Sequence, residues 1–265
     1  MGLKALYLFG EMVLELFLLA ATALLAGTFI GAVGVGGVLL IPALIAFAGL
    51  DIHQASASAL FTFIFTGVLG TYLFQRRGSI AWQMSLPVCV GVLVASYIGA
   101  EVNAITGDRF LTGLIGVLVI AAGIWALTAR IATDSGSSSF AQQLTPIKTV
   151  VLTMVGLIAG FGSGLSGAGG PLFFVPLMLV LKFSPLLIIG IAQVIQIIGS
   201  SSGSAANILN HAVDFKIVAF ILPFELIGIW IGVIIAHRVR VEHLKKVAAW
   251  LCILVGVYMT VNSLV

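Results

Sequence analysis

From one end of the 265-residue chain to the other, apolar runs of about 18–20 residues or more follow one another, separated by short polar or glycine-rich breaks. Such runs have one home, the hydrocarbon of a membrane. The balance agrees: 61% of the residues are apolar and 8% charged, against a soluble norm near ~25% charged. Backbone amides in hydrocarbon must be satisfied within the chain, so only helices or a closed barrel can span it. The alternation of polar and apolar residues that a barrel requires is missing. The sequence predicts an all-α polytopic membrane protein.

Apolar runs and their punctuation give ten segments: 12–33, 37–49, 54–74, 80–100 and 108–129, then 147–167, 170–182, 185–209, 214–237 and 243–264. Between the two sets lies 130–146, rich in Ser and Gln, which reads as a linker. Residues 1–10 lack a clear signal-peptide architecture. Shifting the first half by 133 residues places Gly27, Gly31, Gly34, Gly36 and Gly37 on Gly160, Gly164, Gly167, Gly169 and Gly170. The same shift pairs Gly99 with Gly232 and Gly123 with Gly256, and one inserted residue, Pro171, aligns Pro42 with Pro176. The chain is therefore expected to be a duplicated bundle: a first membrane repeat at 1–129, a linker at 130–146 and a second repeat at 147–265. Internal duplication of this kind is common in secondary transporters.

Five segments per half invert the second copy relative to the first. The basic residues test that parity. With ten segments, Arg76, Arg77, Arg130, Lys148, Lys182, Arg238, Arg240, Lys245 and Lys246 share one face; Lys4, Arg109 and Lys216 share the other. The positive-inside rule then puts the linker in the cytoplasm and both termini outside. These charges read as topology signals, not as a nucleic-acid surface. In a bacterium, the expected location is the cell (inner) membrane. The second segment of each half has ~13 residues and reaches only about 20 Å, so it is a short helix or one arm of a glycine-broken hairpin.

Gly27/Gly31 and Gly160/Gly164 are GxxxG pairs and read as helix packing. GVGG at 34–37 and GAGGP at 167–171 read as breaks. A break followed by a helix start leaves unpaired N–H groups at the positive end of a dipole, an anion site in outline. Pro171 suits a first helical turn. The candidate substrate-binding residues are thus Gly34, Gly36, Gly37, Gly167, Gly169, Gly170 and Pro171. Ser163 and Ser166 join them; the first half has Ile30 and Val33 there. Gln193 and Gln196 also belong, three apart on one helix face, with Thr62 as the counterpart of Gln196. Ser200, Ser201, Ser202, Ser204 and Asn207 follow the glutamines. Interhelical hydrogen bonding is the other reading of these polar side chains.

Glu225 is the one acidic residue well inside a predicted segment. A carboxyl there is costly and is a functional candidate, here for proton coupling. The other reading is a protonated acid bonded to a neighbouring helix, with the carbonyl freed by Pro223 as acceptor. His53, His211, His237 and His243 sit at segment ends and read as interfacial. Cys89 and Cys252 read as buried small hydrophobes without CxxC spacing. No HExxH or Walker motif occurs, so neither an enzyme nor an ATPase is expected. No metal or cofactor is expected, because uncharged donors suit an anion better than a metal cation.

The duplicated pattern, GTFIGAVGVGGVLLIP at 27–42 and GFGSGLSGAGGPLFFVP at 160–176, resembles the TauE/SafE sulfite exporter family over nearly the whole chain. The resemblance implies a permease for sulfite, an organosulfonate or a related small sulfur-containing anion. The expected activity is secondary transport by alternating access between the repeats, coupled to protons. The partners expected are that anion, protons and the lipid bilayer. A passive anion channel and a membrane assembly factor without a transported substrate are the alternatives.

Overall fold

The structure is a computed structural model that describes residues 2–34, 36–128, 145–181, 183, 185–238, 250, 253–254, 256–261 and 263. The Ser/Gln-rich stretch 130–144, His243, Cys252 and most of the last predicted segment lie outside these residues. Nine helices have defined bounds. They are α1 (Gly2–Val33), α2 (Gly37–Ala48), α3 (Ile52–Gln75), α4 (Trp82–Ile105), α5 (Asp108–Thr128), α6 (Pro146–Ser166), α7 (Pro171–Val180), α8 (Pro185–Leu209) and α9 (Phe215–Arg238). Residues 256–261 are also helical, and no strand occurs among the described residues. The all-α polytopic class is therefore observed. Gly10–Val33, Ile52–Gln75, Trp82–Ile105, Pro146–Ser166, Leu186–Leu209 and Phe215–Arg238 are long and apolar enough to cross a membrane. By contrast α2 and α7, with 12 and 10 residues, reach only about 18 and 15 Å at ~1.5 Å per residue.

Local chemistry sets the helix ends. The Asp51 side chain caps α3 by accepting from Gln54 N at 2.8 Å. Thr145 caps α6, whose first residue is Pro146, where the missing N–H is harmless. α2 ends on Gly49 at φ 66, a left-handed stop that favours glycine. Asp214 Oδ1 accepts from Lys216 N and Ile217 N at the start of α9. Most boundaries agree with the sequence to within two residues. The exceptions are α1, which begins ten residues before the predicted start, and α4, which runs five residues past the predicted end and carries Glu101 in its last turns. The charge at 101 ends the apolar run, but it does not end the helix.

The helices pair crosswise. α1 packs along α9, and α4 packs along α6. A Cβ on Gly27 would strike the backbone of Glu225, and one on Gly160 would strike that of Val92. Gly31 faces Ile229 and Val233; Gly164 faces Ser96 and Ala100. Gly232 faces Thr28 and Ala32; Gly99 faces Phe161 and Leu165. Every partner in these couples is displaced by the same 133 residues. So the first helix of each glycine pattern lies backbone to backbone on a helix from the other side of the chain, the close approach that GxxxG spacing allows. Gly116 likewise meets Gly256 and Thr260. Between the two glycine seams α3 runs against α8.

Candidate functional site

Two interruptions of the helical backbone lie inside this frame. The first lies between α1 and α2, with Gly34 at φ 80; the second spans 167–170, with Gly167 at φ 68 and Gly169 at φ 88. These left-handed conformations favour glycine. Four residues separate α6 from α7, against three between α1 and α2. The two breaks meet: the open side of Gly37 faces the Ala168 carbonyl and the ring of Phe63. The same ring flanks Gly169.

The donors at the two helix starts differ. At α2, Leu39 N donates to Gly36 O at 3.1 Å, and the first-turn amides ahead of it have no intrahelical acceptor. At α7, Pro171 has no N–H. Leu172 N donates to Gly169 O, while Phe173 N and Phe174 N both donate to Gly170 O. Ala168 N donates to Ser166 Oγ at 3.2 Å, and that hydroxyl donates to Gly162 O at 2.6 Å. The second helix start therefore retains fewer open amides than its sequence suggests.

α8 touches both breaks. A Cβ on Gly34 would lie within 4 Å of Ile189 and Ala192, and one on Gly170 within 4 Å of Ile195. From this helix Gln193 Nε2 donates to Ile30 O at 3.1 Å. Gln196 Nε2 donates to Phe63 O at 3.3 Å and to the Thr66 hydroxyl at 2.9 Å. Both amides thus make interhelical bonds, the other reading of these residues. Gln193 Oε1, however, is buried without a partner.

Thr62, next to Phe63, faces the Glu225 carboxyl. Its hydroxyl donates instead to Ala59 O at 2.8 Å. Glu225 is 0% exposed, and neither of its oxygens has a hydrogen-bond partner among the described residues. The bond to a carbonyl freed by Pro223 is therefore not made. Ser163 Oγ is also buried and unpartnered, as are the hydroxyls of Ser56, Ser200 and Ser204. Each such group costs about 1–3 kcal/mol unless a water or ligand meets it.

The structure thus gathers Gly34, Gly36, Gly37, Gly167, Gly169, Gly170 and Pro171 at the meeting of the breaks, flanked by α8 with Gln193 and Gln196. Thr62 and Glu225 adjoin through α3. Ser163 stands toward Gly199 beside Ser96, whose hydroxyl donates to Gly199 O at 2.7 Å. Ser166 is occupied within its own turn. Phe63, Thr66 and Ser96 were not singled out by sequence, because one aromatic ring or hydroxyl in an apolar run has no distinguishing spacing. The histidines join helix ends. His53 lies 3.0 Å from Asn103 Oδ1 and 3.0 Å from Asp108 Oδ1, and His237 lies 3.2 Å from Ser79 Oγ. No group of three or more His, Cys, Asp or Glu that could hold a metal occurs among the described residues.

Residues 19–259 match the sulfite exporter TauE/SafE family. The chain belongs to the TauE/SafE family. Among curated proteins it is similar to the probable membrane transporter protein YunE of Bacillus subtilis, 21% identical over 90% of this chain and 95% of that one. It is 24% identical to the probable membrane transporter protein y4hK of Sinorhizobium fredii, over 91% of this chain and 92% of the relative. A third, the probable membrane transporter protein MJ0441 of Methanocaldococcus jannaschii, is 23% identical over 94% and 97%. No solved structure matches the chain. With its TauE/SafE membership and six apolar spans, the protein is an integral multi-pass membrane transporter and not an enzyme.

Proposed function

We propose that the protein is a secondary transporter for a small sulfur-containing oxyanion, sulfite or an organosulfonate, working by alternating access and coupled to protons through Glu225. The observation that carries the reading is the meeting of two glycine breaks beside buried, uncharged hydrogen-bond donors. A dipolar cradle of amides and hydroxyls stabilises an oxyanion without a fixed cation, so the ion can also leave. The α2 start, through Gly36 and Gly37, supplies amides, while Gly34, whose own N–H donates to Ile30 O, shapes the break. The second break, Gly167 to Pro171, supplies fewer. Gln193, Gln196, Ser163, Ser166 and Thr62 orient the head group.

Glu225 carries the proton. An unpartnered carboxyl in the middle of a span is stable only when neutral, so its deprotonation is coupled to a change in its surroundings. Thr62 is placed to turn its hydroxyl from Ala59 O to the carboxylate when the proton leaves. The two halves, 1–129 and 147–265, act as inverted repeats that rock about the breaks. The linker lies in the cytoplasm, both termini lie outside, and in a bacterium the location is the cell (inner) membrane.

The test is proteoliposome flux under a proton gradient with sulfite, sulfoacetate and isethionate, compared with simple carboxylates. Gln193→Ala combined with Gln196→Ala should weaken flux and apparent affinity for whichever sulfur anion is moved. Unchanged flux and affinity in that double variant would overturn the assignment of the site. Transport of carboxylates alone would overturn the substrate class.

A further inference from the structure

Five polar residues of α8 recur at Gln193, Gln196, Ser200, Ser204 and Asn207, a spacing that keeps them on one face of a helix. All five are buried, and the stripe runs for about 20 Å at ~1.5 Å per residue. That face lies against α3, with α4 beside it. Gly70 meets the Gln193 side chain, Gln196 bonds to Phe63 and Thr66, and Gly203 meets Leu60 of α3 and Ser96 of α4. The ladder is antiparallel, and continuing it places Ser56 level with Ser204 and Asn207. Gly167 of the second break packs directly on Ser56. The seam therefore connects the meeting point of the breaks to the end of α8, where Leu209, Asn210 and His211 are exposed.

The hydroxyls along this limb behave differently from others in the bundle. Thr22, Thr28 and Thr153 each donate to the carbonyl four residues earlier, the ordinary way to satisfy a hydroxyl in a membrane helix. Ser56, Ser200 and Ser204 are more deeply buried than these and forgo that bond; their oxygens have no partner among the described residues. The matching position in the other half is apolar. There Gly34, the counterpart of Gly167, packs near Val175, Ile189 and Ala192, and Ile189 stands 133 residues from Ser56. One side of the breaks is greased and the other is lined with hydroxyls.

We infer that the α3–α8 seam between the second break and Leu209 is the route by which an oxyanion reaches the breaks, and that Ser56, Ser200 and Ser204 form a hydroxyl subsite along it. This rests on the transport reading above and adds residues that it does not use. The hydroxyls donate to a passing oxyanion and replace part of its hydration shell. The carboxylates at this end are engaged: Asp214 accepts from the amides of Lys216 and Ile217, Asp51 accepts from Gln54 N, and Asp108 lies 3.0 Å from His53.

The test is cysteine labelling in a Cys89→Ser/Cys252→Ser background. Ser204→Cys, Ser200→Cys and Ser56→Cys are compared with Ser201→Cys, whose side chain is exposed on the outside of the bundle. Two methanethiosulfonate reagents are used, one bearing a sulfonate and one a trimethylammonium, each rate being normalised to a free thiol in solution. The route predicts faster labelling at 200, 204 and 56 than at 201, with the sulfonate reagent ahead by about tenfold or more, the lower end of what a selective field gives. Rates no faster than at Ser201→Cys, or an equal or reversed preference for the cation, would overturn it. Variants are scored only if they melt with the parent, and the position on α3 supplies a reading independent of α8. Labelling needs no transported substrate. Its failure would remove the route and leave the glutamine flux test standing, and failure of that flux test would leave the labelling result standing.

Discussion

The α1–α9 seam and the α4–α6 seam are built from the same backbone contacts and lined with different chemistry. Gly27 lies on Glu225 where Gly160 lies on Val92. At the breaks, Gly34 faces Ile189 where Gly167 faces Ser56. Ile30 and Val33 in one copy are Ser163 and Ser166 in the other. The contrast separates two kinds of constraint. At Gly27 and Gly160, Gly31 and Gly164, and Gly99 and Gly232, main chain touches main chain and both copies keep glycine, since a Cβ would collide. Where side chains face the centre, the copies diverge, and each divergence adds a polar group to one side only. Scaffold and chemistry occupy neighbouring positions on the same helices.

Disturbing the shared part should have the largest effect. Gly31→Leu and Gly164→Leu each force a side chain into an opposing backbone and should cost about 3 kcal/mol or more. In detergent they should melt far below the parent and by similar amounts. A marked inequality between them would mean that the seams are not equivalent. Gly10→Ala, with nothing within 4 Å of the added carbon, should melt with the parent.

Making the halves alike at the carboxyl is the sharper experiment. Glu225→Val copies Val92 and removes an unpartnered buried acid, so stability should rise by about 1–3 kcal/mol while proton-driven flux is lost. Glu225→Gln holds the side chain in an uncharged form, and the pH dependence of any remaining exchange should flatten. A Glu225→Val protein that still accumulates substrate under a proton gradient would remove this residue from the coupling step.

Smaller effects are expected at the second break. Ser163→Ile with Ser166→Val copies the first half and should weaken binding by about 1 kcal/mol for each donor lost, read as a reduced thermal shift with the transported anion. Ser166→Val should account for the lesser share, because its hydroxyl already serves Gly162 and Ala168. At the clasp of helix ends, Asn103→Ala removes bonds to His53 and Leu165 and should lower the melting point modestly, by about 1 kcal/mol.

The breaks could be placed from sequence because glycine is chemically singular and its pattern recurs at a fixed offset. Crosswise pairing was not legible: GxxxG spacing says that something comes close, but not which helix. The amide count at α7 was also hidden, since only geometry reveals that Phe173 and Phe174 share the Gly170 carbonyl. Glu101 misled in the opposite way, its charge closing a hydropathy run that the helix ignores. Phe63 touches both breaks and is one of 17 phenylalanines, so its residue type alone could not mark it.

The crosswise seams carry a consequence for biogenesis. When the first half has left the ribosome, α1 and α4 both present glycine faces whose partners have not been synthesised. Neither face can close until α6 and α9 enter the bilayer, so the early chain holds two open, adhesive surfaces in the lipid at once. Its assembly must wait for the later helices, and a chain interrupted at the central linker would leave both surfaces bare for the quality-control proteases of the membrane.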